Sequence, residues 1–380
     1  MPDDKLRAQF GVLESGLYFN HAAIAPWPRC AAQAVQDFAV ENAGRGPVAY
    51  ARWTGREREL RARLARLTGA GHADDIALLK NTSEGISLVA AGLEWQAGDS
   101  VVLPAGEFPS NRLPWLALRA LGVQLREVDI RAAKDAEAAL LEAVDASTRL
   151  LSVSAVQWAD GFRLDLARLG EACRRRHVLF FVDAIQQLGA LPLDVEACHI
   201  DFLAADAHKW LLGPEGIAVF YSRPEVRPLL TLRQHGWHMF DDPFVFERDD
   251  WTPAGSALRF EAGSPNSLGQ AAMHASLGVL LDQGMQRVAA QVLENTRALL
   301  EGLAAFPAVR VLSPSEPSRR SGIVTFASKS HTDSELHRAL KIGGVVCARR
   351  GGGIRLSPHF YQGEKEIAEF FEVLAGVVQE

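Results

Sequence analysis

The chain has 380 residues, 48% hydrophobic and 23% charged, an ordinary globular balance that can bury a sizeable core. Its formal net charge of −6 leaves no basic footprint, which argues against a nucleic-acid partner. The cysteines (Cys30, Cys173, Cys198 and Cys347) form no CxxC pair, and no signal-like or membrane-length apolar run is present. A disulfide scaffold, a metal site and membrane association are therefore not expected, and a cytoplasmic location is.

In chain order, short apolar runs at 76–79, 100–103, 149–156, 178–183, 202–205 and 216–221 predict strands covered on both faces. Helices are predicted between them at 83–93, 109–121 and 165–176, the last capped by Asp165. This alternation predicts an α/β fold with a mostly parallel sheet. The stretch 223–259 holds Pro224, Pro228, Pro243 and Pro253 and predicts a long irregular connection. A helical stretch over 267–303 and a smaller α+β pattern follow. The expected division is a large domain at 21–262 and a small domain made of 1–20 with 263–380.

Several motifs carry chemistry. Lys209 follows an apolar strand in Ala205-Asp206-Ala207-His208-Lys209-Trp210. An unpaired ammonium is costly there, whereas a Schiff base with a cofactor aldehyde is not. The bland alternative is a surface lysine at a strand end. Asp183 ends the very apolar Phe180-Phe181-Val182 run, at the sheet edge where ligands of open α/β folds sit. A protonated pyridine nitrogen would suit it, and a helix cap is the alternative. Asn81-Thr82-Ser83-Glu84 opens a helix, and hydroxyls and amides there suit a phosphate or serve as an ordinary cap. His208 could add a hydrogen bond to the same phosphate. No GxGxxG follows an early strand, which disfavours a nicotinamide enzyme.

Taken in order, the segments 18–23, 81–86, 107–111, 182–186, 208–210, 259–264 and 355–361 resemble the class V aminotransferase family of fold-type I pyridoxal-phosphate (PLP) enzymes. That family includes cysteine desulfurases, isopenicillin N epimerase-like proteins and kynureninase-like relatives. The resemblance implies that Lys209 bonds the cofactor, then shuttles the substrate α-proton, and that Asp183 pairs with the pyridine nitrogen. It implies that Gln157 and Gln186 approach the ring oxygen, that Phe108 stacks on the ring, and that Thr82, Ser83 and His208 hold the phosphate. Ser264 matches a residue that reaches a neighbouring subunit's phosphate, which implies a homodimer with shared sites. Arg355 matches the arginine that grips the substrate carboxylate, a role a guanidinium fork suits. His21 lies in the site-lining N-terminal motif and either touches substrate or serves as a local hydrogen-bond donor.

Two departures stand out. Phe108 occupies the position of a ring-stacking histidine in many desulfurases and cannot move protons. Asp206 stands where many relatives have a phosphate-binding serine, and it is expected to point away from the phosphate. A desulfurase also needs a thiolate on a mobile loop. Here 349–355 holds no cysteine, and Cys347 lies in an apolar strand-like run. The expected activity is therefore PLP chemistry on an amino acid or amine. Transamination ranks first, carbon–sulfur lysis, another elimination or epimerisation next, and persulfide formation last. A cofactor-binding regulatory module is the non-enzymatic alternative.

Overall fold

The computed structural model describes residues 4–247 and 252–378. A short strand β1 (Leu17–Tyr18) precedes seven strands of the main sheet: β2 (Ile76–Leu79), β3 (Ser100–Pro104), β4 (Gln124–Val128), β5 (Thr148–Ser154), β6 (Leu179–Asp183), β7 (Phe202–Asp206) and β8 (Ala218–Ser222). Their order across the sheet is β2-β8-β7-β6-β5-β3-β4. Only β8 runs against the rest, antiparallel to both β2 and β7. Both faces are covered. Phe180 and Val182 belong to one apolar cluster, while Phe181 belongs with Phe202 and Phe220 to another. Burial on two sides is why the predicted strands read as unbroken apolar runs.

Three expectations differ from the structure. Strand β4 was not anticipated: Gln124, Arg126 and Glu127 make it polar, as suits an exposed sheet edge that must not pair with other chains. The helix expected over 109–121 is instead a 3-10 turn (Pro109–Asn111), a short helix (Leu113–Ala117) and a second turn (Leu118–Leu121). Pro109 and Pro114 lack the amide N–H that a continuous helix needs. The stretch 267–303 forms two helices, Ser267–Gln283 and Met285–Ala304, which part at Gly284 with φ 79°. The 223–259 connection is irregular apart from turns at Arg227–Leu229 and Ala257–Phe260. Its residues 248–251 lie outside the described ones, as do 1–3 and 379–380 of the expected small domain.

The later strands are β9 (Val309–Val311), β10 (Val324–Ser328), β11 (Val345–Val346), β12 (Ala348–Arg350) and β13 (Gly353–Leu356). Four of them form an antiparallel sheet in the order β12-β13-β10-β9, while β11 pairs in parallel with β1. A bridge from Asn20 to Ser357 extends that second seam. A third apolar cluster joins Phe19 to Phe326, Ile354, Leu356 and Phe370. The helix Ser267–Gln283 packs on Arg29–Arg45 and Tyr50–Thr68, and its Met273, Leu277 and Leu280 belong to the cluster that holds Phe180 and Val182.

Candidate active site

The parallel strands β2, β3, β5, β6 and β7 deliver their C-terminal ends to one edge of the sheet, and β13 of the smaller sheet faces that edge. A cavity of about 280 Å³ lies between, bordered by Thr82, Phe108, Asp183, Gln186, His208, Lys209 and Arg355. Residues as far apart as Ala22 and Arg355 are thus brought together by topology. A larger cavity of about 410 Å³, bordered by Lys80, Ser83, Glu84 and Arg233, gathers no comparable set of buried ionisable groups.

Lys209 sits three residues past β7 and is buried. Its neighbour Trp210 anchors it. The indole N–H donates to Gln186 Oε1 at 3.0 Å, and Gln186 Nε2 donates to the Ala22 carbonyl at 3.0 Å. Gly322 gives the indole room, since a Cβ there would meet the ring at 2.3 Å. Gly189, at φ 95°, lets the chain approach the Trp210 carbonyl equally closely. Burial pulls the Lys209 ammonium below the ordinary lysine range; Asp183 opposes this and Arg355 reinforces it. Its Nζ lies 5.6 Å from the centre of the Phe108 ring.

Asp183 is 2% exposed, and its carboxylate accepts one hydrogen bond, from the Ile185 N–H at 3.0 Å. No ion pair of Asp183 is found among the described residues. Burial drives its carboxyl well above the usual range, against the pull of Lys209. Such a group is set to receive a cation. Arg355 is the mirror case. Its Nη1 donates to the Trp158 carbonyl at 2.7 Å, its Nε has no hydrogen-bond partner among the described residues, and burial lowers its pKa to about 10. A buried guanidinium with an unused donor suits a carboxylate.

Thr82 opens the helix Thr82–Gly92, capped by Asn81. Contrary to expectation, Asp206 does not turn away. Its carboxylate accepts from the Thr82 amide, and its own amide donates to Thr82 Oγ1 at 3.1 Å. The free amides and positive end of the helix draw the carboxylate in. Asp206 Oδ2 also lies 3.4 Å from His208 Nδ1.

Four of the expected residues do not border this cavity. Ser83 donates to Ser110 Oγ at 2.8 Å and faces the neighbouring larger cavity, although Ser110 itself borders the site. Gln157 is buried behind the site, donating to Glu107 Oε1 at 3.1 Å. His21 is fully buried, bonded through Nδ1 to the Ser357 carbonyl at 2.7 Å and through Nε2 to the Tyr361 hydroxyl at 2.5 Å. Ser264 lies in a separate cleft with Glu261 and Gln234.

Trp158, Arg350 and Glu107 were assigned no role from the sequence. Trp158 and Arg350 border the cavity. The Trp158 indole meets Phe108 edge-on at 5.7 Å. Glu107 accepts from the Ser154 amide at 2.7 Å and from its hydroxyl, and so braces Gln157. Its position beside Phe108 was the one available signal. None of the four cysteines borders the site. Cys347 is buried, and burial pushes its thiol up to about 12.

Residues 17–368 match the family model described as aminotransferase class-V. The chain belongs to the class-V aminotransferase family. It is 30% identical to a "Probable cysteine desulfurase" of Methanothermobacter thermautotrophicus, with 99% of both chains covered. Among solved structures it resembles a C-DES variant with glycine covalently linked to the PLP cofactor (TM-score 0.91, 26% identity, 99% and 100% of the two chains). It likewise resembles the cystine C–S lyase C-DES in complex with cysteine persulfide (TM-score 0.90, 25% identity, 97% and 100%). This family member is thus a fold-type I, PLP-dependent enzyme of the transferase or lyase type. The residues present fit the cofactor: a buried amine for its aldehyde, an orphaned carboxylate for its ring nitrogen and an aromatic face at Phe108. Among the described residues no helix is long and apolar enough to cross a membrane, and no cluster of three or more His, Cys, Asp or Glu is arranged to hold a metal.

Proposed function

We propose that this enzyme cleaves a carbon–sulfur bond in a cysteine-like amino acid by elimination, without passing sulfur to a thiol of its own. The observation that carries this reading is the lining of the cavity, which joins a buried lysine to an unsatisfied arginine and contains no cysteine. The names of the relatives support sulfur chemistry, and the high thiol pKa of Cys347 argues against a protein-bound persulfide. This reverses the sequence-based order, in which transamination came first.

Lys209, Asp183, Phe108, Gln186, Thr82 and His208 would hold PLP, which supplies an electron sink for the bond broken at Cα. Arg355 binds the substrate carboxylate and fixes which Cα bond faces Lys209. Lys209 Nζ takes the α-proton, a task its lowered pKa suits near neutral pH. Asp183 holds a proton at the position of the ring nitrogen. Departure of the sulfur as thiolate or persulfide, followed by addition of water, leaves ammonia and pyruvate. Gln157, seated against Glu107, serves as a support behind the ring. A homodimer in which Ser264 reaches the neighbouring subunit's site is part of the same proposal.

The test is an assay of the purified holoenzyme with cysteine, cystine and alanine, each with and without an acceptor keto acid. Sulfide or persulfide released with equimolar pyruvate and ammonia supports elimination, and Cys347→Ala should retain that activity. Amino transfer to the keto acid without ammonia would replace it with transamination. Alanine formed from cysteine, and lost in Cys347→Ala, would replace it with persulfide-forming desulfuration.

A further inference from the structure

The proposed reaction employs Asp183 but gives Asp206 no task. Yet Asp206 borders the cavity, at the opening turn of the helix Thr82–Gly92 and beside His208. An anion at that place needs an explanation, because Thr82 and His208 are the residues proposed to receive the cofactor's phosphate. We propose that Asp206 meets the phosphate ester of PLP as a carboxylic acid and donates a hydrogen bond to it, so that loading the cofactor takes up one proton.

The surroundings leave few other ways to balance the charge. Facing Asp206 from its own strand end are His208 and Lys209, and from the following turn Glu215. Strand β6 presents Asp183, and β12 and β13 present Arg350 and Arg355. The helix offers the Thr82 amide and hydroxyl, and β8 places Ala218 opposite. Burial and Lys209 hold His208 down to about 4, so it is not the neutralising cation. Lys209 is committed to the aldehyde and Arg355 to substrate. Two buried anions in contact cannot both stay ionised, and one of them takes a proton. Asp206 is prepared for this, since burial already raises its carboxyl to about 6. The step balances simply. One proton passes from water to the carboxylate; no covalent bond to carbon or phosphorus changes, and no redox partner is needed.

The inference rests on placing the phosphate at Thr82 and His208, and the experiment separates the two claims. Full-length apoprotein is titrated with PLP and with pyridoxal, which lacks the phosphate, from about pH 6 upward. PLP affinity of the wild type relative to Asp206→Asn should fall by up to about tenfold per pH unit, as one linked proton requires. Pyridoxal should show no such divergence. Parallel PLP curves for wild type and variant would overturn the shared proton. Thr82→Val tests the placement: loss of PLP affinity with pyridoxal binding intact supports it, and equal losses overturn it together with the role of Asp206. Should Asp206→Asn fail to fold, Asp206→Ser serves. In the wild-type holoenzyme, the phosphorus NMR resonance should also move in a pH step belonging to the shared proton, and absence of any step would overturn the inference.

Discussion

The Arg355 guanidinium donates to the backbone carbonyl of Trp158 at 2.7 Å. One end of the fork is thereby fixed by the turn that follows β5 of the main sheet, while the side chain itself comes from the smaller sheet. The remaining donors are aimed before any substrate arrives, which lowers the entropic cost of binding a carboxylate.

Arg355→Lys should therefore lower kcat/KM for amino acids by about 10- to 100-fold, the worth of a charge-assisted hydrogen bond. Cofactor affinity should stay unchanged, and an amine lacking the carboxylate should react equally well with both proteins. Steady-state kinetics beside a PLP titration check this. Equal losses in both measurements would make the arginine a structural element only.

Lys209→Ala should abolish turnover and the covalent link to the cofactor. Mass spectrometry after borohydride reduction should find the label on the peptide holding Lys209 in the wild type and on no peptide of the variant. A reduced adduct on another lysine would contradict the assignment.

Asp183 predicts a pH signature of the apoprotein. Burial raises its carboxyl to about 7, so the folded state binds this proton more tightly than the unfolded one. The stability it contributes is present at acid pH and is lost as pH rises from the ordinary carboxylate range through about 7. The melting temperature of apo Asp183→Asn should thus gain on that of the wild type across this window and level off above it. Added PLP should narrow the gap by supplying the missing cation. A pH-independent gap would mean that Asp183 has a partner in solution.

Tyr361→Phe should separate support from contact at His21. The variant leaves the buried His21 Nε2 without its hydroxyl donor, a loss of about 1–3 kcal/mol in unfolding free energy. Because neither side chain borders the cavity, KM should not move. A specific rise in KM without loss of stability would instead place His21 against substrate.

The sequence carried the sheet and the placing of Asp183 and Lys209 at its edge well, because both are local signals. Asp183 closes an apolar strand, and Lys209 follows the next. Their strands are neighbours in the sheet, with Asp183 paired to Ala204. Arg355 was legible only through resemblance, since no periodicity brings residue 355 to residue 158. Gln157 was placed at the ring oxygen through the resemblance alone. Which way its side chain turned depended on Glu107, a buried carboxyl 50 residues earlier. Asp206 was misread for a different reason. Repulsion from a phosphate was weighed, while attraction to the Thr82 amide was not. Strand β4 escaped notice because an edge strand here is polar, and the break at Gly284 because a single glycine is a weak stop signal within a long helical pattern.

The parallel seam between β1 and β11, extended by the bridge from Asn20 to Ser357, also sets an order of events during synthesis. The main sheet can assemble once Ser222 has emerged from the ribosome, but residues 17–20 must wait for a mate more than 300 positions downstream. Until that late stretch is made, the nascent molecule has its amine and its acid in place and lacks Arg355. Any cofactor captured early would sit in a half-built vessel, able to hold the aldehyde yet unable to orient a substrate.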